Sequence, residues 1–251
     1  MVSMPLIEAL PWDSGFFHLR IGRSIIQSPE QVDYYEFFRE AEKDYDLVYI
    51  VSPQKMLSYK TTLKSEIELV DVMFTMSMQF CSDSYCFGEI GDIRRSLSDE
   101  ERKECYKIAE QVATVSRFYK EPMIGPENAK ALYRKWVDNA LNKSFCDGII
   151  IYKHEGAVGG IHIVKSDLKE KIGYCSMIGI KKNINNFGIG KKLFREAFKY
   201  WSSNYGISQC RVVFSLNNWR AFNFYLSIGF SKLDELRYIY HYRNRGARDS
   251  F

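Results

Sequence analysis

The sequence lacks most of the features that assign a protein at sight. Its six cysteines (Cys81, Cys86, Cys105, Cys146, Cys175 and Cys210) form no CxxC pair, and none stands at zinc-finger spacing from a histidine. A disulfide framework is not expected, and the cysteines read as small apolar residues of a reduced protein. The four histidines, His18, His154, His162 and His241, show no ligand spacing, so no metal is expected. No apolar run approaches the length of a membrane span, and "MVSMPLIEALPWD" has neither the basic start nor the continuous apolar stretch of a signal peptide. The expectation is a soluble, cytoplasmic chain without membrane insertion. A dominant charge is missing too: 35 Lys and Arg face 31 Asp and Glu, a net of +4. Nucleic-acid binders gather basic residues on one face or in runs, so nucleic acid is not an expected partner.

What is present suffices for a full core. With 251 residues, 46% of them hydrophobic, the chain can form one large domain or two small ones. A polar, turn-rich stretch over residues 81–100, "CSDSYCFGEIGDIRRSLSDE", reads as a seam. Before it, residues 46–53 and 66–78 have strand character, and residues 29–45 and 52–64 have helical patterning. Residues 1–83 are therefore expected to form a small α/β domain. After the seam, Ser98 stands as an N-cap before an acidic first turn, and Pro126 opens a second helix. Three strands follow ("DGIIIYK", "AVGGIHIVK", "KIGYCSMIGIK"), then a helix, a strand, a helix and a last strand "ELRYIYHYR". That order predicts an α+β domain with a mixed sheet over residues 84–251.

Two stretches of this second part carry chemistry. In "NNFGIGKKLF", Gly188 and Gly190 precede an amphipathic helix whose apolar stripe holds Ile189, Leu193, Ala197 and Trp201. A dinucleotide fingerprint fails because Leu193 stands where its third glycine belongs. A Walker A loop fails at Asn185 and Lys192. A helix N-terminus bare of side chains still offers unpaired N–H groups and the positive end of the dipole to an anion. The alternative is a tight turn with solvated lysines. In "NNWRAFNFYLSIGF", Asn218, Ala221, Phe222 and Tyr225 share a helical face, with Gly229 as C-cap. By itself, such a tyrosine is more often a core residue with a satisfied hydroxyl than a catalytic group.

Together these motifs resemble the GNAT superfamily of CoA-dependent N-acyltransferases, over roughly residues 85–243. Its fold is a mixed, splayed central sheet flanked by helices, here preceded by the small α/β domain. "IGI" (Ile178, Gly179, Ile180) matches the end of the family's splayed strand. Asn185, Asn186, Phe187, Gly188, Ile189, Gly190 and Lys191 lie where its pyrophosphate loop lies, with Asn185 replacing the usual Gln or Arg. The resemblance implies acetyl-CoA or another short acyl-CoA as co-substrate, bound by these residues with Asn218 and Tyr225. It also implies Tyr225 as the acid that protonates the departing thiolate, and a strand N–H near 178–180 holding the tetrahedral oxyanion.

"LPWDSGFFHLRIGR" and "VSRFYKEPMIGPENAKALYRKWVDNAL" resemble the TDP-fucosamine N-acetyltransferases, which acylate a nucleotide-linked aminodeoxyhexose for cell-surface polysaccharide. This implies a dTDP-amino sugar substrate met by Trp12, Phe17, Arg117 and Tyr119, and Asp71 as the group drawing off the amine proton through water. The open alternatives are an aromatic core cluster for Trp12 and Phe17, a surface ion pair for Arg117 and a strand-end acid for Asp71. A homodimer is left open. Rival functions are a GNAT enzyme acting on a protein N-terminus or another small amine, and a CoA-binding module without chemistry.

Overall fold

The computed structural model describes residues 4–58, 67–81, 93–142, 146–184, 188–244 and 246. The chain divides into two units. The first takes Met1–Phe74, Ser215–Asn217 and Glu235–Phe251; the second takes Thr75–Phe214 and Asn218–Asp234. The C-terminal strand thus belongs largely with the N-terminal residues, an assignment that local pattern does not reveal.

In the first unit, β1 (Glu8–Ala9), α1 (Pro11–Phe17), β2 (Ile21–Ile25), α2 (Tyr34–Asp44) and β3 (Leu47–Pro53) follow in order. They are joined by the first part of β4 (Ile67–Gln79) and most of β9 (Lys232–Arg243). Parallel strands need a crossover, and α2 supplies it between β2 and β3, which pair from Ile21–Leu47 to Ile25–Val51. Asp33 starts that helix by accepting the N–H groups of Tyr35 and Glu36. Its apolar face buries Phe37 and Ala41 against Val48, Ile50, Tyr240 and Tyr242. Antiparallel to β3 runs β9, from Leu47–Arg243 to Pro53–Arg237. The helix expected over 52–64 does not start: Ser52 and Pro53 end β3, residues 54 and 55 bend, and residues 56–58 are neither helix nor strand. Gln54 takes a left-handed φ of 63° and donates its N–H to Leu236 O at 2.8 Å, so pairing with β9 outweighs the local helical pattern. Residues 59–64 of that stretch lie outside the described residues.

The second unit carries α3 (Asp99–Ala113), α4 (Arg117–Lys120) and α5 (Gly125–Leu141). Then come β5 (Gly148–His154), β6 (Ala157–Asp167), β7 (Ile172–Ile180), α6 (Ile189–Tyr205), β8 (Gln209–Ser215) and α7 (Trp219–Ile228). Ser98 and Glu101 close a reciprocal capping box at the head of α3. The strand order is β8-β7-β6-β5, antiparallel except for the parallel β7–β8 pair, which α6 connects. Close approach of α6 to the sheet depends on Gly173: a Cβ there would stand 2.4 Å from the fully buried Trp201 indole.

One polar residue lies under α6. His162 on β6 is fully buried, its Nδ1 3.4 Å from Leu193 O and its ring 4.6 Å from that of Phe194. Burial pushes its pKa down to about 4, so the folded protein holds it neutral while the unfolded chain protonates near 6.5. Its contribution to stability is therefore present above about pH 6.5 and lost as the pH falls toward 4, by about 3 kcal/mol in all. Denaturant melts of the parent and of His162→Leu at several pH values between 4 and 7 should show a steeper fall for the parent. Parallel curves would count against this assignment.

Candidate acyl-transfer site

The second unit opens its own sheet at one place. The β7–β8 ladder runs from Ile172–Gln209 to Cys175–Val212, with no further rung among the described residues although β7 continues to Ile180. Just past the last rung, Ile163 faces Met177 while Val164 faces Cys175, which leaves Ser176 as the extra residue of a bulge. Ser176 is exposed in the middle of a central strand. Backbone N–H groups on the β8 side of this stretch have lost their ladder partners, which suits them to a polarised carbonyl oxygen. Ile178 stays paired with His162, and Ile180 O accepts Gln111 Nε2 of α3 at 2.9 Å. Gln111 is a support that sequence reasoning missed; only its tertiary contact reveals it.

Helix α6 begins beyond this strand. Asn185, Asn186 and Phe187 lie outside the described residues. Gly188 is the N-cap with φ 68°, makes no side-chain cap, and has open space where a Cβ would be. The first intrahelical bond is Lys192 N to Gly188 O at 3.1 Å, so the N–H groups of Ile189, Gly190 and Lys191 precede the helical ladder. They are the donors that the helix itself leaves open. Side chains divide differently: Ile189 is buried, Lys191 is exposed, and a Cβ on Gly190 would stand 2.5 Å from the Phe224 ring of α7. Gly190 therefore serves helix packing with its missing side chain and can serve an anion only with its N–H. Gly179 behaves alike, its Cβ position lying 2.6 Å from Ile108 of α3.

Asn218 caps α7, its Oδ1 accepting the Ala221 N–H at 3.1 Å. Tyr225, two turns along, is 5% exposed among Phe214, Phe230 and Phe194, with ring centroids at 5.0, 5.6 and 6.1 Å. Burial drives its pKa well above that of a free tyrosine. The phenol is therefore protonated at any working pH, the state a proton donor needs.

The remaining candidates divide between the units. Arg117 and Tyr119 are half-buried in α4, Arg117 with its guanidinium 4.3 Å from the Phe118 ring. Trp12, Phe17 and Asp71 belong to the first unit. Phe17 is buried, whereas Trp12 is 49% exposed and stacks on Phe16 at 5.0 Å and 10°. Asp71 is 5% exposed rather than a solvated strand-end acid, and its Oδ1 accepts Ser215 Oγ at 2.6 Å and the Val72 N–H at 2.8 Å. No group of three or more metal-ligating side chains occurs among the described residues. No helix among them is long and apolar enough to cross a membrane.

Residues 146–232 match the family model described as an acetyltransferase (GNAT) domain, a span that contains the splayed strand, the glycine turn and Tyr225. No curated protein matches the sequence significantly. Among solved structures, a functionally unknown conserved protein from Staphylococcus epidermidis superimposes with a TM-score of 0.63 at 12% identity, over 97% of this chain and 92% of the other. A tandem GNAT protein from the clavulanic acid biosynthesis pathway gives 0.52 at 8% identity, over 89% and 75%. A GCN5-related N-acetyltransferase from Kribbella flavida gives 0.50 at 11% identity, over 91% and 84%. At these identities the likeness is one of fold. Over residues 146–232, then, the chain is similar to a GNAT acetyltransferase domain.

Proposed function

We propose that this protein is a CoA-dependent N-acyltransferase that transfers an acetyl or short hydroxyacyl group to the amine of a dTDP-linked amino-dideoxyhexose. The observation that carries the acyl-transfer part is the presence, within one unit, of a strand splayed after Cys175, an open helix N-terminus at Gly188 and a buried, protonated Tyr225. Backbone N–H groups at the head of α6 hold the pyrophosphate, strand β7 polarises the thioester carbonyl, and Tyr225 protonates the sulfur as the C–S bond breaks. An amine flanked by electron-withdrawing ring oxygens has a pKa nearer about 8 than that of lysine, so a weak base suffices. Asp71 takes that proton through water, with Ser215 Oγ already donating to it.

The sugar part is supported by the sequence resemblance of the stretches around Trp12 and Arg117, and by the exposed face of Trp12, held flat against Phe16. Incubating the protein with a panel of TDP-aminodeoxyhexoses and acetyl-CoA or hydroxybutyryl-CoA, followed by mass spectrometry, tests it. Acylated sugar is the expected product; CoA release with peptides or polyamines only would overturn the sugar assignment. Trp12→Ala should raise KM for the sugar nucleotide about tenfold, at the low end of the ~1–3 kcal/mol of a base–aromatic stack. The KM for acyl-CoA should stay put. Initial-rate measurements with each substrate varied in turn check both.

A further inference from the structure

The end of β7 is held from two sides. Lys181 N donates to Gly159 O at 2.9 Å, next to the rung of Ile180 with Gly160, so the N–H and C=O of Ile180 itself point away from β6. Those of Ile178, two residues back, point the same way. Both residues therefore face the edge of β7 where, among the described residues, β8 supplies no rung. Helix α3 meets this strand end with one face. Glu104 pairs with Lys181, and Ile108 and Val112 crowd Gly179, where a Cβ would stand 2.6 and 2.8 Å from them. Gln111 Nε2 donates to Ile180 O at 2.9 Å. Of these contacts, only that of Gln111 engages a backbone group of the open edge.

The geometry points to Gln111 as a positioning residue for acyl transfer, one that takes up the Ile180 carbonyl and so leaves the open edge of β7 as a surface of N–H groups. This role rests on the acyltransferase reading above. An open strand edge offers N–H and C=O groups side by side; the first attract a developing oxyanion and the second repel it. The amide of Gln111, bonded to Ile180 O, offsets part of that repulsion. It also ties the Ile180–Lys181 peptide on one side while Gly159 O holds it on the other, so the plane resists tilting. The N–H groups of Ile178 and Ile180 then stay aimed across the gap without reorganisation during the reaction. Such support matters as charge builds on the carbonyl oxygen, and it acts on kcat more than on KM.

The test compares Gln111→Leu and Gln111→Glu with the parent between pH 5 and 8, with melting curves on the same preparations. Acetyl-CoA is the donor, and TDP-aminodeoxyhexoses, peptides and polyamines are the acceptors. Gln111→Leu, which cannot donate, should lower kcat about tenfold with KM for acetyl-CoA within twofold, short of the ~10²–10³ of a lost oxyanion donor. Gln111→Glu should lose more at pH 8, where an ionised carboxylate repels both Ile180 O and the oxyanion. Its kcat relative to the parent's should climb several-fold as the pH falls, because the protonated carboxyl can donate to Ile180 O. That bond favours the neutral form and lifts the carboxyl above its usual pKa of about 4.3. A glutamine that only steadies α3 predicts a lower Tm and a ratio to the parent that does not change with pH. Should Gln111→Leu fail to fold, the Gln111→Glu ratio decides alone. Parent-like kcat of folded Gln111→Leu, or a pH-independent ratio for Gln111→Glu, would overturn the role while leaving the acyltransferase reading intact. A parent that acylates none of these amines would overturn that reading, and this role with it.

Discussion

Tyr225→Phe is expected to cut turnover by ~10²–10⁴, the scale of a lost general acid, while CoA affinity moves little. A thiol is a good leaving group near neutral pH, so the lower end of that range applies. The phenylalanine keeps the ring packed against Phe214 and Phe230. It loses only the hydroxyl, a change of at most one hydrogen bond or about 0.5–1.5 kcal/mol of stability. Affinity stays because the hydroxyl matters as charge builds on sulfur, not in the ground-state complex. The competing view of Tyr225 as a packing residue forecasts near-normal turnover and a slightly lower Tm. Rates and melting curves on one preparation separate the two, and turnover within threefold of the parent would demote Tyr225 to the core.

The second large effect belongs to Gly188. Gly190 invites the obvious Gly190→Glu test, but its Cβ would enter the Phe224 ring, so lost binding there would report damaged packing as much as charge. Gly188 is open on that side, and although its φ of 68° strains most side chains, Asn and Asp tolerate that region better than others. Gly188→Asn and Gly188→Asp share the same backbone cost and differ by one negative charge. Unit charges about 5 Å apart interact by about 3 kcal/mol at an effective dielectric near 20, less where solvent screens them. Gly188→Asp should therefore bind CoA ~10- to 100-fold more weakly than Gly188→Asn in calorimetric titration. Raising the salt should narrow the gap. Equal affinities would remove the pyrophosphate from the head of α6.

Much of the second unit was legible because its signals are local. The Ser98 N-cap, the stripe of Ile189, Leu193, Ala197 and Trp201, and the Gly229 C-cap each act within a few turns, and each forms as read. Helix α1 and strand β2 went unread: seven and five residues are too short for periodicity to show. Residues 52–58 misled for the opposite reason, since a helical pattern was overruled by a strand more than 180 residues away, at Arg237 and Leu236.

By itself, the sequence determined most elements of the second unit and the candidacy of Gly188 and Tyr225, because caps, periodicity and glycine turns are short-range physics. Only the tertiary structure decided what those residues and their neighbours touch. It assigned the bare side of Gly190 to Phe224 and that of Gly179 to Ile108. It buried Asp71 beneath Ser215 and packed Tyr225 against Phe194 and Phe214. Such pairings are made by strand register and helix docking, which bring together residues that carry no mark of one another in the chain.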